Sequence, residues 1–171
     1  MRALLSVIQV MGRLLMVFSL TYLMPIASAI YFADGTLLTF VASMLACIAV
    51  GLVLTVATRR HRAELKARDG FILVTLAWTL PAAIATVPLI LHQDMSFTDS
   101  FFETMSGLTT TGATVMTGLD TTEPSINLWR HELQWLGGMG IIVLAVAILP
   151  LLGVGGMQHL RAEVPGPLKD T

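Results

Sequence analysis

Cysteine is almost missing from this chain: Cys47 stands alone in 171 residues, which excludes an intramolecular disulfide and a cysteine-ligated metal cluster. Its setting among Ala, Val and Leu makes it a small apolar residue of a helix. Charge is scarce as well. Charged side chains make up 12% of the chain, 10 basic and 11 acidic, for a net charge of -1. So little charge beside a hydrophobic content of 55% and a mean hydropathy of +0.79 excludes an ordinary soluble domain and defines an integral membrane protein. Catalytic signatures are missing too. No HExxH motif occurs, and no base stands beside the one Thr-rich run. A zinc site and a Thr-nucleophile enzyme are therefore set aside, and no covalent cofactor is expected. His61, His92, His131 and His159 lie in basic stretches or at helix ends, with no spacing that groups them as ligands.

What the chain does contain is long apolar runs with alternating flanks. Leu14 to Ala33 is charge-free and of spanning length, and Pro25 within it predicts a kink. Ala27-Ser28-Ala29 matches a signal-peptidase pattern, but the apolar run exceeds a signal core, so the segment reads as a retained span. Asp34-Gly35 predicts a tight turn, and Leu37 to Thr58 a second span. Arg59, Arg60, Arg62, Lys66 and Arg68 then oppose only Glu64 and Asp69, which places this loop in the cytoplasm. The same basic run could meet anionic lipid or nucleic acid, but topology accounts for it and no nucleic-acid partner is expected. Phe71 to Leu91 predicts a third span with kinks at Pro81 and Pro88. Its far side carries Asp94, Asp99, Glu103, Asp120 and Glu123 and no Lys or Arg before Arg130. Asp99, Glu103 and Asp120 are read as an acidic outer vestibule that concentrates cations, Asp94 and Glu123 as solvated loop residues.

Between that third span and the next lies SFTDSFFETMSGLTTTGATVMTGLD, residues 96–120. Ser96 and Asp99 have the spacing of a helix start, and Phe97, Phe101, Met105 and Leu108 mark one helical face. From Phe97 to Leu108 such a helix rises roughly 18 Å, against a hydrocarbon core of about 30 Å. It can enter a bilayer and not leave by the far side. Thr109-Thr110-Thr111-Gly112-Ala113-Thr114 follows, a poor helix whose irregular backbone is tolerated at membrane depth only when buried in protein or lining a watery cavity. Consecutive carbonyls facing an axis would replace the water shell of a cation, with Thr hydroxyls adding oxygens and Gly allowing the backbone angle. The helix dipole would aim its negative end at the same place. The plainer reading is a polar interhelical turn. A short aromatic helix before and a full span after favour helix, re-entrant loop, helix.

Thr121 to Leu128 then reads as a polar outer loop, Trp129 and Trp135 as an interfacial belt, and Leu133 to Leu152 as the last span. Arg130 and Glu132 are expected to snorkel or pair at the surface. Gly137, Gly138 and Gly140 remove side chains where another backbone must come close. Pro150, Gly153, Gly155 and Gly156 end the span, and His159, Arg161 and Lys169 mark the cytoplasmic side. The fold class is an all-α membrane protein with both termini inside. Its units are an N-terminal helix pair and basic loop (1–68), a helix/pore-loop/helix unit (69–158) with a filter at 109–114, and a tail (159–171).

FFETMSGLTTTGAT and LQWLGGMGIIVLAVAILPLLGVGGMQ with RAEVPGPLKD resemble the first pore unit of the potassium-translocating subunits of bacterial Trk uptake systems, in the Trk/Ktr/HKT superfamily. The resemblance is nearly continuous from Arg68 to Lys169 and similar in pattern over the first two spans, which match that family's N-terminal helix pair. It implies potassium transport across the inner membrane. Four such units would surround one pathway, with the carbonyls of Thr110, Thr111, Gly112 and Ala113 as this unit's ligands, Thr109 and Thr114 as flanks, and potassium at Thr110 and Thr111. It also implies a cytoplasmic nucleotide-binding ring and paired pore subunits. This chain carries one unit of the four. It is either the N-terminal part of a longer protein or a short form whose identical copies, four about an axis, assemble. A non-conducting scaffold that serves a pore-forming partner is the alternative function.

Overall fold

The computed structural model describes residues 2–59 and 67–148. Seven α-helices are found among them: α1 (Arg2–Phe18), α2 (Leu23–Phe32), α3 (Leu37–Thr58), α4 (Ala67–Ala85), α5 (Val87–Gln93), α6 (Phe97–Leu108) and α7 (Pro124–Ile148). The all-helical membrane architecture read from the sequence is present. Leu4–Phe32, Leu37–Thr58 and Asp69–Gln93 are each long and apolar enough to cross a bilayer. The expectations for residues 60–66 of the basic loop, for the end of the last span at Leu152 with Pro150, Gly153, Gly155 and Gly156, and for the 159–171 tail lie outside the described residues.

The first span is longer than its apolar run predicts, because α1 starts before Leu14 and carries Arg13 on an exposed face. A single tighter turn, Ser19–Tyr22, joins α1 to α2. It lies one turn before Pro25, whose missing N–H cannot serve the carbonyl four residues back. α1 packs along α3 at a crossing of small residues. A side chain added at Gly12 would lie 2.8 Å from the Gly51 carbonyl, and one at Gly51 would lie 2.8 Å from that of Gly12. Nothing larger than Gly lets these backbones meet. One turn earlier on α3, the Cys47 thiol donates to the Leu15 carbonyl at 3.3 Å.

α4 continues through Pro81, and the chain breaks at Thr86 just before Pro88. Pro88 has no N–H for the Ile84 carbonyl, and neighbouring helices supply donors instead. Tyr22 Oη reaches Ile84 O at 3.4 Å, and Trp129 Nε1 donates to Ala85 O at 3.1 Å. Such re-satisfaction by neighbours is what makes a broken helix tolerable in lipid.

Two expectations are overturned at the start of α7. The helix begins at Pro124 rather than Leu133, so most of the segment read as an outer loop is helical. Pro at the first helical position has no orphaned N–H and a φ suited to the helix. The next free amide, Ser125 N, is taken by Asp34 Oδ2 at 3.0 Å. Trp129 is then carried inward. It is fully buried, stacked on Tyr22 and edge-on to Phe18 and Phe40, while Trp135 remains 60% exposed. The aromatic cluster joins α1, α3 and α7, so the N-terminal pair and the following helices share one core.

Candidate functional site

α6 has 12 residues and is capped by Ser96, whose hydroxyl accepts from Asp99 N at 3.1 Å and lies 2.8 Å from Asp99 Oδ2. It packs between α4 and α7. Thr104 Oγ1 donates to Ala82 O of α4 at 2.8 Å. On the other side Gly137 of α7 meets the Leu108 carbonyl, leaving no room for a side chain. Gly140 faces Trp78, and Gly138 lies open beside Thr110.

The end of α6 explains how the chain turns back. Thr110 N donates to Gly107 O at 2.8 Å and Thr111 N to Ser106 O at 2.9 Å, with Thr110 left-handed at φ 58°. This is the bond pattern of a Schellman cap. Glycine is the usual occupant, and a β-branched residue there stores strain of about 1–3 kcal/mol. Gly112 is also left-handed, at φ 72°. Threonine side chains tighten the turn: the Thr109 and Thr111 hydroxyls touch at 2.8 Å, and Thr110 Oγ1 donates to Thr109 O. Ser106 Oγ donates to Ala113 O at 2.7 Å, so the Ala113 carbonyl is drawn toward α6. Among the described residues no hydrogen bond reaches the carbonyls of Thr110, Thr111 or Gly112. Thr109 through Thr114 are all exposed.

Beyond the turn the chain runs extended and is held from behind by Glu103. One of its carboxylate oxygens, Oε1, accepts from Thr114 Oγ1 at 2.6 Å, Val115 N at 2.5 Å and Met116 N at 3.2 Å. The other, Oε2, accepts from Arg130 Nε at 3.2 Å and Nη2 at 3.1 Å. Arg130 Nη2 also donates to Thr114 Oγ1 at 3.2 Å. Glu103 is 5% exposed. Its reading as a vestibule carboxylate is corrected: it faces the protein, between α6, the strand and α7. Arg130 is corrected with it, since it pairs inside with Glu103 and not with Glu132. A cavity of about 190 Å³ behind the strand is lined by Glu103, Ser106, Gly112, Arg130 and Gln134 among others.

The remaining acidic residues divide. Asp99 lines an opening of about 330 Å³ beside Val115, Met116 and Thr117, and Asp120 sits exposed in the short turn Leu119–Thr121. Asp94 is exposed. Glu123 is tied down instead: Gln93 Nε2 donates to it at 2.6 Å, and His92 Nε2 lies 3.4 Å away. No cluster of metal-ligating side chains is found among the described residues. Sequence reasoning missed Ser106 and the inward role of Glu103 and Arg130. The spacing of Glu103, Ser106 and Gly107 on one face of α6 was the available signal.

The fold and site define an all-helical membrane protein in which a half-length helix, braced by two longer ones, turns back through a Thr/Gly loop. The chain belongs to the TrkH family, described as cation transport proteins, whose pattern matches residues 37–171. It is 49% identical over 168 residues to the Trk system potassium uptake protein TrkH of Vibrio parahaemolyticus, covering 97% of this chain and 35% of that protein. It is 48% identical over 167 residues to TrkH of Halomonas elongata, with coverage of 96% and 35%. The crystal structure of the potassium transporter TrkH from Vibrio parahaemolyticus superposes with a TM-score of 0.82 at 47% identity, covering 90% of this chain and 33% of that one. The chain thus spans about a third of the length of the relatives it matches.

Proposed function

We propose that this chain supplies one of the four filter strands of a potassium uptake pathway in the bacterial inner membrane. The observation that carries the reading is the turn at Thr110: a half-length helix ends in a left-handed cap and leaves three consecutive carbonyls, of Thr110, Thr111 and Gly112, without donors among the described residues. Carbonyl rings are what strips and replaces an ion's hydration shell. Potassium would sit at Thr110 and Thr111. Asp99 and Asp120 would draw cations toward the entrance from outside, and the termini would face the cytoplasm. One strand surrounds an ion on one side only. The other three come from the remainder of a longer chain or from identical copies, and a cytoplasmic nucleotide-binding ring would gate the assembly.

Uptake of radioactive rubidium by liposomes holding the purified chain, paired with the mass of the detergent particle, tests this. A four-copy particle that takes up rubidium in preference to sodium supports the reading. A four-copy particle that takes up none overturns it in favour of a scaffold. A single-copy particle assigns the remaining strands to a longer chain, in which the same uptake is measured.

A further inference from the structure

Glu103 is the one carboxylate among the described residues that reaches both the loop and the neighbouring helix. Its two oxygens do different things. Oε1 gathers the hydroxyl of Thr114 and the amides of Val115 and Met116, while Oε2 meets the guanidinium of Arg130 side-on through two nitrogens. The acceptor face thus fixes the backbone of the strand, and the charged face fixes the carboxylate itself. A buried carboxylate needs such donors to remain ionised. Arg130 is held in turn by its position on α7, directly after the buried Trp129 and one helical turn after the buried Ile126.

We infer that Glu103 and Arg130 are positioning residues for ion selection: the pair holds residues 114–116 in register against α6, and so sets the spacing of the carbonyls of Thr110, Thr111 and Gly112. This rests on reading 109–114 as a filter strand. The register is anchored at two points only a few residues apart, the cap at Ser106 and the clamp at Glu103. Between them the chain is exposed and contains two left-handed residues, Thr110 and Gly112, which a looser backbone would release. Strain of this kind persists only where the surroundings over-determine it. Discrimination between cations of one charge depends on where the oxygens are held and how firmly, so a free strand would pass ions and lose its preference.

Two measurements on Glu103→Gln separate this from failure of the transport reading. Hydrogen exchange of the detergent-solubilised chain reads the clamp without any ion flux. Exchange at the Val115 and Met116 amides is expected to accelerate at least about tenfold, the equivalent of one charge-assisted hydrogen bond, while the amides of α3 and α7 stay protected. In the rubidium-conducting assembly the same variant should lose potassium over sodium preference with rubidium flux retained. Arg130→Lys keeps the charge without the paired geometry and should give the same selectivity loss in part. If Glu103→Gln does not fold, Thr114→Val, at an exposed position, decides at the Val115 amide, because Met116 N also donates to Thr114 Oγ1 at 3.1 Å: faster exchange at Val115 supports the clamp, and unchanged exchange there overturns it. A wild-type assembly with all four strands that conducts nothing refutes the transport reading. Wild type that selects potassium beside an equally selective Glu103→Gln refutes the positioning role alone.

Discussion

The Trp129 ring lies flat on the Tyr22 ring, centroids 4.4 Å apart and planes inclined by 24°, although 106 positions (129 − 22 − 1) separate them in the chain. That stack is where the first span grips α7, and α7 in turn carries Arg130 and Gly137 to the site. The position of the loop therefore depends on an aromatic contact remote from it.

Trp129→Ala should destabilise the chain in detergent by about 3–5 kcal/mol, the range for deleting a fully buried large aromatic. Trp129→Phe should cost less, about 1–3 kcal/mol, mainly because the Ala85 carbonyl loses its donor. Thermal unfolding followed by circular dichroism checks both. Equal losses would show that the stack contributes nothing beyond the hydrogen bond.

Gly137 and Gly138 are neighbours with opposite surroundings. A methyl on Gly137 would collide with the Leu108 carbonyl, while the nearest atom to one on Gly138 is 3.9 Å away. Gly137→Ala should push α6 off α7 and cost about 1–3 kcal/mol. Gly138→Ala should change stability by less than about 1 kcal/mol. Comparing unfolding midpoints of the two single variants decides the point.

Gly112→Ser places a side chain on a left-handed residue, at a cost of about 1–2 kcal/mol. Because Gly112 sits between the two anchors of the loop, the cost falls on carbonyl geometry. Reduced rubidium flux or reduced preference over sodium is the expected outcome. Unchanged preference in a reconstituted variant would count against carbonyl coordination here. Thr110→Gly is the converse change, relieving strain at the cap, and should raise the unfolding temperature.

Asp34 links the turn after α2 to the start of α7. Partial burial pushes its carboxyl up, but hydrogen bonds from Ser125 and Thr36 outweigh that and hold it below the ordinary carboxylate range. A folded value below the unfolded one adds stability above the unfolded pKa, and that stability is lost as pH falls through the folded one. The unfolding midpoint should therefore drop in acid more steeply for the wild type than for Asp34→Asn. Parallel curves would remove Asp34 from the acid response.

Much of this fold was legible along the chain. Thr58 ends α3 and Leu108 ends α6 where apolar pattern and helix-breaking residues predict, because spans are written in consecutive residues and a start such as Ser96 bonds only three residues ahead. The loop after Leu108 was legible as irregular for the same local reason. The start of α7 was not. Pro124 was a usable helix-start signal, but the partner of the Ser125 amide is Asp34, in another part of the chain.

The sequence by itself determined that this is a helical membrane protein, roughly where three of its spans lie, and that one helix is too short to cross. These follow from hydropathy and periodicity, which each residue carries wherever it goes. Only the tertiary structure decided that Trp129 is core rather than belt and that Glu103 turns inward. It also decided that Arg130 pairs with Glu103 rather than meeting solvent. A polar or aromatic side chain has the same local pattern whether it faces lipid, water or another helix, and its role is settled by which helices pack beside it.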